Sequence, residues 1–220
     1  MSNTSEIIYS HKLPIGTFKV YLENPELSGI EENLFKVTQT HSSDIVQLQS
    51  STIDHLKNIK EKKADGLMLD FSQWGPDLPK LCVVTADCLP VALCGKKGVA
   101  LVHAGWKGLA QNILEHSILS DLEIYYAFIG PSIGPCCYQV QSNFKHYFPK
   151  SSNFIARHDK TYFDLWSQAK DQLQSHYHRH KIKIDMSERC THCGTGDKGH
   201  KFHSFRREQN TNRNWNIWKL

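Results

Sequence analysis

The sequence lacks long apolar runs and any concentration of charge of one sign. No apolar stretch approaches the roughly 18 residues needed to span a bilayer, so we predict no membrane-spanning helix. Residues 1–12 contain no apolar core of the kind found in secretory signals, which predicts a cytoplasmic protein. The 26 Lys and Arg residues leave a net charge of only +4 and form no single stripe, which disfavours nucleic-acid binding.

Internal repeats, low-complexity tracts and recognisable linkers are also missing. The 220 residues are most simply one domain, 1–220, large enough to bury about 70% of its unfolded surface. Strand-like and helical segments interleave without strict alternation, which predicts an α+β fold of mixed β-sheets flanked by helices, layered as αββα. The seven cysteines are an odd number, and in a cytoplasmic chain we expect reduced thiols.

Local patterns predict most of the regular elements. Strands are expected at 17–22, 35–39, 45–48, 123–129 and 181–185, and two more in the tail 202–220. The longest helix should begin at Asp164 and reach about His178. Residues 28–31 have the form of a capping box that opens a short helix, and apolar spacing predicts another helix from about 108 to 119.

The most informative segment is 81–107, which places a cysteine and a histidine at the open end of a predicted β-hairpin. Two short apolar runs, 89–94 and 99–103, flank a Gly-Lys-Lys-Gly turn signal. This pairing sets Pro90 opposite His103, so Cys88 lies on the face of His103, one diagonal step away at about 7–8 Å. A metal ion held at about 2.0 to 2.3 Å by an imidazole and a thiolate could bridge that gap.

A catalytic zinc ion usually needs a third protein ligand, and His41 is the leading candidate. It ends a predicted strand and enters the polar turn Ser-Ser-Asp. The alternative is that Cys88 is a small buried apolar residue and that both histidines are structural. Asp87, next to the cysteine, could orient an imidazole or move a proton, or could instead cap a turn.

Cationic residues near the predicted site suggest an anionic or phosphate-bearing small molecule. Lys107 lies at the start of a predicted helix, whose N-terminal amides favour anions. Arg206 and Arg207 carry forked donors that suit phosphate or carboxylate. If the two arginines lie on a strand, only one of them can face the site.

The remaining cysteines allow further interpretations. Cys190 and Cys193, with His200 and His203, could form a small structural zinc knuckle, although the spacing is shorter than in zinc fingers. The vicinal pair at 136–137 could include a nucleophile, but no base is visible nearby in the sequence.

Five ordered motifs resemble those of a known family: ADGLMLD, VVTADCLPVAL, VHAGWKGLA, IGPSIGPCCYQV and FHSFRRE. Together they resemble the multicopper polyphenol oxidoreductase (laccase-like) family over about 38–213. That family is also described as zinc-containing purine nucleoside phosphorylase/adenosine deaminase and, in some bacteria, as a peptidoglycan-editing factor. The resemblance implies that His41, Cys88 and His103 are metal ligands. The chain departs from the family pattern at Lys107, in place of an arginine, and at His203, in place of an aromatic residue.

The expected function is a zinc-dependent enzyme acting on purine nucleosides. Phosphorolysis of adenosine, inosine or methylthioadenosine would place phosphate near Lys107 and Arg206, and adenosine deamination is a further activity that the family resemblance implies. Copper is less favoured than zinc, because laccase chemistry needs several coppers whereas the implied constellation is one His2Cys site. Two alternatives stay open: a zinc amidase that edits UDP-muramoyl-amino acid precursors, and a non-catalytic metal-binding protein.

Overall fold

The computed structural model describes residues 6–49, 59–75, 77–178, 181–194 and 202–220. Their strands are β1 (Ile7–Lys12), β2 (Thr17–Tyr21), β3 (Leu34–Phe35), β4 (Ile45–Leu48), β5 (Gly66–Asp70), β6 (Lys80–Thr85), β7 (Leu89–Gly95), β8 (Gly98–Ala104), β9 (Ile124–Ile129), β10 (Gln139–Val140), β11 (Phe154–Arg157), β12 (Lys160–Phe163), β13 (Lys183–Met186) and β14 (Asn214–Lys219). The α-helices are α1 (Trp106–Ala110), α2 (Ser117–Ser120), α3 (Leu165–His176) and α4 (Phe205–Glu208), with 3-10 turns at Phe71–Gln73, Ile113–Glu115 and Ser142–Tyr147.

Two mixed sheets form the body of the fold, as the α+β prediction requires. A six-stranded sheet has the order β13-β9-β7-β8-β5-β4, and a five-stranded sheet has the order β1-β2-β14-β6-β3. A third sheet, β10-β12-β11, is small. Both large sheets combine antiparallel pairs with parallel ones, such as β4 with β5 and β3 with β6. Among the residues described, every helix falls short of the length and apolarity that a bilayer crossing requires.

Side chains of the six-stranded sheet alternate between two cores. One face packs against α1 and α3 and includes Met68, Val91, Leu93, Ala100 and Val102. The opposite face packs against the five-stranded sheet and includes Leu67, Leu69, Ala92, Val99 and Leu101. This two-residue period is the ordinary consequence of the β pleat, and it explains why the strands read as nearly continuous apolar runs.

The hairpin of β7 and β8 has the register predicted from its sequence. Pro90 lies opposite His103, and Cys94 lies opposite Val99. His103 shares its face with Val99 and Leu101, so it points toward the five-stranded sheet. The register therefore brings the histidine to the end of the interface between the two sheets.

Three local predictions were wrong, each for a different physical reason. Asn112 has a left-handed φ of 57° that separates α1 from the following 3-10 turn, so no continuous helix covers 108–119. Residues 28–31 form turns, because Glu31 bonds to distant side chains instead of capping a helix. Residues 205–208 form α4 rather than a strand, because the Ser204 hydroxyl accepts a bond from the Arg207 amide and caps it.

Glu31 fastens the connection between β2 and β3 to the outer face of the five-stranded sheet. Its buried carboxylate accepts a hydrogen bond from the Tyr21 hydroxyl at 2.9 Å and lies 2.7 Å from the Lys80 ammonium. Burial raises the pKa of Glu31, but the bonds from Lys80 and Tyr21 outweigh burial and lower it below its ordinary value. The ionised form therefore stabilises the folded chain.

We expect Glu31→Gln to lower the free energy of unfolding by about 2 kcal/mol at pH 7, since a charge-assisted bond is lost. A carboxylate whose pKa falls on folding stabilises above its unfolded pKa, and this stabilisation is lost as pH drops through the folded value. Urea melts of both proteins should therefore converge in acid. Glu32→Gln, an exposed neighbour, is the control and should change little. A stability difference between the two proteins that grows at low pH would contradict this account of Glu31.

Candidate functional site

His41, Cys88 and His103 come from three separate segments and meet at one end of the six-stranded sheet. Their ligand atoms all lie within 4.8 Å of one another. The two imidazole rings meet edge to face, with centroids 4.9 Å apart. The structure thus brings together the three residues singled out as metal ligands in the sequence.

Each of the three candidate ligands is held differently. His103 belongs to β8 and is almost fully buried, whereas Cys88 lies in the turn that leads into β7. His41 is exposed and has a left-handed φ of 59°, which is uncommon for a residue with a side chain. Its amide donates to an Asp65 carboxylate oxygen at 3.0 Å, and this bond helps hold the unusual conformation.

Asp65, fully buried just before β5, organises both histidines. One oxygen lies 2.8 Å from Nδ1 of His103, and the other accepts bonds from the amide and hydroxyl of Ser42 at 2.6 and 2.9 Å. Burial raises the pKa of Asp65, but these bonds outweigh burial and lower it well below its usual range. An ionised carboxylate only accepts, so Nδ1 of His103 donates to it and Nε2 is left for a metal.

The sequence did not predict this role for Asp65. The pair Asp65-Gly66 looks like a turn, but Gly66 begins β5 and pairs with Ile45 and Val102. A Cβ on Gly66 would lie 2.9 Å from a side-chain carbon of Ile45, so glycine permits the close approach of β4. A polar Asp directly before a fully buried strand was the available signal.

Electrostatics at the site favour the metal-binding form of Cys88. Burial alone would raise the pKa of this thiol, but the charge and hydrogen bond of His103, with a smaller contribution from His41, lower it to about 6. Conversely, burial would lower the pKa of His103, but Cys88 and Asp65 raise it to about 9. The pair therefore favours a thiolate beside a protonated imidazole, and a metal ion bound here would displace the proton on His103.

The three candidate ligands form part of the wall of a cavity of about 730 Å³. Its cationic lining residues are Lys36, Lys107, Arg206 and Arg213. Its aromatic lining residues are Trp106, Tyr138 and Phe205. This volume suits a drug-sized or nucleotide-sized molecule, and its lining combines flat apolar surfaces with positive charge.

Asp87 lies in the same cavity and has an unusual backbone. Its φ of 88° is positive, and its carboxylate accepts bonds from the hydroxyl of Thr191 and the amide of Arg206, both at 2.7 Å. Its carbonyl accepts from the amide of Ile133 at 2.9 Å. Asp87 therefore joins three segments of the cavity wall.

The two adjacent arginines of α4 have different surroundings. The guanidinium of Arg207 donates to the carbonyls of Thr191, His192 and Phe202, so protein groups occupy it. Arg206 lines the cavity, stacks over the ring of Tyr138 at 5.2 Å and donates to one carbonyl, that of Gln139. Lys107 also lines the cavity and is exposed. The two arginines therefore point in different directions because they lie on a helix, and not because they alternate along a strand as the sequence suggested.

The vicinal cysteines and the Cys-x-x-Cys pair, two separate features of the sequence, meet in space. The sulfurs of Cys136, Cys137, Cys190 and Cys193 lie within 4.8 Å of one another. His203 lies instead against Glu208, at 3.2 Å, and His200 falls outside the described residues. The partners of the Cys-x-x-Cys pair are therefore the two adjacent cysteines.

Gly105 offers a direct test of the first cluster. A methyl group at this position would lie 3.0 Å from the sulfur of Cys88 and 3.3 Å from a ring carbon of His41, although a backbone φ of −75° accepts alanine. We expect Gly105→Ala to fold but to bind metal more than about tenfold more weakly, a loss of about 1.4 kcal/mol. Competition with a chromogenic chelator measures the affinity.

The control for this substitution is Gly75→Ala, where an added methyl meets nothing within 4 Å. It should leave the affinity unchanged. Equal affinities for Gly105→Ala and the native protein would mean that the metal binds elsewhere.

Sequence and structure comparisons find a matching family model, related proteins and similar solved structures. A model of the family described as multi-copper polyphenol oxidoreductase laccase matches residues 23–219. A purine nucleoside phosphorylase of Aquifex aeolicus is 30% identical over 188 residues, covering 83% of this chain and 81% of the relative. The purine nucleoside phosphorylase YfiH of Shigella flexneri is 34% identical over 144 residues, covering 60% of this chain and 55% of the relative. The crystal structure of YlmD from Geobacillus stearothermophilus superposes with a TM-score of 0.67 at 27% identity, covering 86% of this chain and 74% of that one.

Proposed function

We propose that this chain, which belongs to the multi-copper polyphenol oxidoreductase laccase family, is a zinc-dependent enzyme that cleaves purine nucleosides with phosphate. The observation that carries the proposal is the convergence of His41, Cys88 and His103 in the wall of a cavity lined by cations and aromatic rings. The relatives named as purine nucleoside phosphorylases support the same reaction class.

The donor set fits a catalytic zinc ion. Two imidazoles and a thiolate leave one position of a tetrahedral ion open to a reactant, and these borderline-soft donors suit zinc. Asp65 holds His103 in the tautomer that presents Nε2, as the outer carboxylate of a zinc-bound histidine does. Several coppers at close quarters would need more histidines than this cluster contains. The proposed compartment is the cytoplasm, where the thiol of Cys88 stays reduced.

Phosphorolysis breaks the bond between C1′ of the ribose and the purine nitrogen. A phosphate oxygen forms the new bond to C1′, and the purine leaves with the bonding electron pair and takes up a proton. A bound metal ion supplies a Lewis acid able to polarise an oxygen of the substrate or of water. The protein must therefore hold phosphate and nucleoside side by side and deliver the proton.

The cavity lining suits each part of this substrate pair. Lys107 and Arg206 are the proposed phosphate ligands, since both line the cavity and an arginine fork matches phosphate oxygens. Trp106, Tyr138 and Phe205 present aromatic surfaces on which a purine can stack. Asp87 is the proposed proton-handling residue; its bonds to Thr191 and Arg206 also fix the cavity wall.

The experiment that tests the proposal offers the purified protein adenosine, inosine or methylthioadenosine, with and without inorganic phosphate. Phosphate-dependent release of free purine base with ribose 1-phosphate, or its methylthio analogue, is the expected result. Release of ammonia from adenosine without phosphate would reveal deamination. Inertness toward all three nucleosides, with release of an amino acid from a UDP-muramoyl precursor, would overturn the proposal in favour of an amidase.

Arg206 provides a sharper test of the phosphate position. We expect Arg206→Ala to raise the KM for phosphate about tenfold, equivalent to about 1.4 kcal/mol, while the KM for nucleoside changes little. The matched control is Arg157→Ala: Arg157 also stacks on a tyrosine, Tyr162 at 5.7 Å, but does not line the cavity. A larger change in the nucleoside KM would assign Arg206 to the ribose or base instead.

A further inference from the structure

Four cysteine sulfurs form a compact cluster in a part of the fold that contributes none of the His2Cys ligands. Cys136 and Cys137 follow the loop after β9, whereas Cys190 and Cys193 follow β13. All four sulfurs lie within 4.8 Å of one another, and those of Cys136 and Cys193 are 3.5 Å apart. A tetrahedral zinc ion with four bonds of about 2.3 Å would hold its sulfurs about 3.8 Å apart, which matches this spacing.

Both segments have a turn geometry suited to metal ligation. In the segment Cys-Thr-His-Cys-Gly, Gly194 has a left-handed φ of 65° and donates its amide to the carbonyl of Cys190 at 2.9 Å. The turn sets the two cysteine side chains of this segment toward one point. In the other segment, the amides of Cys137 and Tyr138 both donate to the carbonyl of Gly134 at 3.0 Å.

The backbone also supplies a hydrogen bond to the cluster. The amide of Gly134 donates to the sulfur of Cys190 at 3.2 Å, and Cys190 is fully buried. A backbone amide aimed at a buried sulfur stabilises negative charge on it, and the thiolate is the form that ligates a metal. A parallel bridge between Ser132 and Cys190 holds the two segments in register.

We propose that Cys136, Cys137, Cys190 and Cys193 bind a structural zinc ion, distinct from the ion at His41, Cys88 and His103. Four thiolates close the tetrahedron and leave no position for a reactant, so this site is structural and not catalytic. A nucleophilic role for the vicinal pair would need a positioned base, whereas the ligating groups gathered here are all cysteines.

The proposed ion would stabilise the wall of the cavity that contains His41, Cys88 and His103. The loop that carries Cys136 also carries Ile133 and Tyr138, which line the cavity. The segment that carries Cys190 also carries Thr191, whose hydroxyl bonds to Asp87. Zinc at this cluster would therefore join two segments that meet at Asp87 and fix the conformation of its left-handed backbone.

Metal content tests the proposal directly. The native protein, prepared under reducing conditions with zinc, should contain two zinc ions per chain. Cys136→Ala, chosen because Cys136 is exposed and tolerates truncation, should lose one ion and keep its fold, and Cys193→Ala should do the same. Cys88→Ala should also lose one ion, but the other one. Cys94→Ala, a buried cysteine outside both clusters, is the control and should retain both.

Cobalt spectroscopy separates the two sites without relying on stability. In the Cys88→Ala protein, cobalt should give the strong near-ultraviolet sulfur-to-metal band of a tetrathiolate, and adding Cys193→Ala should weaken it markedly. One zinc ion in the native protein and none in Cys88→Ala would overturn the proposal. A protein mass that is lower by two hydrogen atoms and is restored by a reductant, together with the absence of the cobalt band, would show a disulfide. That result would also overturn the proposal. A native protein with one zinc ion, which Cys193→Ala loses and Cys88→Ala keeps, would contradict only the proposed function.

Discussion

Replacing Cys88 by alanine is expected to abolish metal binding at the His2Cys site and to lower kcat/KM at least about a thousandfold. Of the three proposed ligands Cys88 would supply the charged one, and a bound metal would contribute several kcal/mol of transition-state stabilisation. Cys88 belongs to neither of the two large apolar cores, so we expect the variant to fold. Zinc titration and initial rates on adenosine with phosphate measure both effects.

The matched control is Cys94→Ala at the opposite end of β7. Cys94 is fully buried in the core between the two sheets, and its pKa is raised to about 12 by burial, so it is a neutral apolar residue. Its substitution should cost stability but leave the specific activity of the folded protein unchanged. Undiminished turnover by Cys88→Ala would show that the metal centre takes no part in the reaction.

Asp65→Asn is expected to have the second largest effect, on both the metal and the fold. The carboxylate of Asp65 now accepts hydrogen bonds from His103, His41 and Ser42 through two oxygens. The asparagine side chain has only one acceptor oxygen, so some of these buried donors would lose their partner. We expect the free energy of unfolding to fall by about 3 kcal/mol, the scale for breaking a buried ionic network. Zinc affinity should fall about 10- to 100-fold, since the carboxylate orients a ligand histidine.

Two measurements separate these effects. Urea unfolding of the metal-free protein gives the stability loss, and chelator competition well below the melting temperature gives the affinity. Asp70→Asn is the control: Asp70 ends the same strand, β5, and accepts one amide bond, from Ser72. Native zinc affinity in Asp65→Asn would show that His103 needs no carboxylate to orient it.

The hairpin and two of the proposed ligands could be predicted from the sequence because their geometry is local. The turn between β7 and β8 fixes which residues pair, and the two-residue period then fixes which side chains share a face. The closeness of Cys88 and His103 follows from those two facts alone, whereas a ligand role for them does not. His41 was predicted as a candidate on weaker grounds, its position at the end of a strand, and resemblance to a family strengthened it.

Features that depend on contacts between distant segments could not be predicted. The bonds of Asp65 run to His41 and His103, 24 and 38 residues away, and nothing in the local pattern encodes them. The cluster of four cysteines likewise joins segments 57 residues apart. At Asn112 the apolar period continues although the helix ends, because burial constrains side chains and not the backbone path.

The proposed ligands of the His2Cys site also differ in how late the folding chain can assemble them. Cys88 and His103 need only a tight hairpin, which closes within microseconds in small peptides. His41 reaches them only when β4 pairs in parallel with β5 at the sheet edge. This pairing must close a long loop before its contacts form, so it is slow. A nascent chain that meets zinc early would hold it by two ligands, and docking of the edge strand would then lock the ion in place.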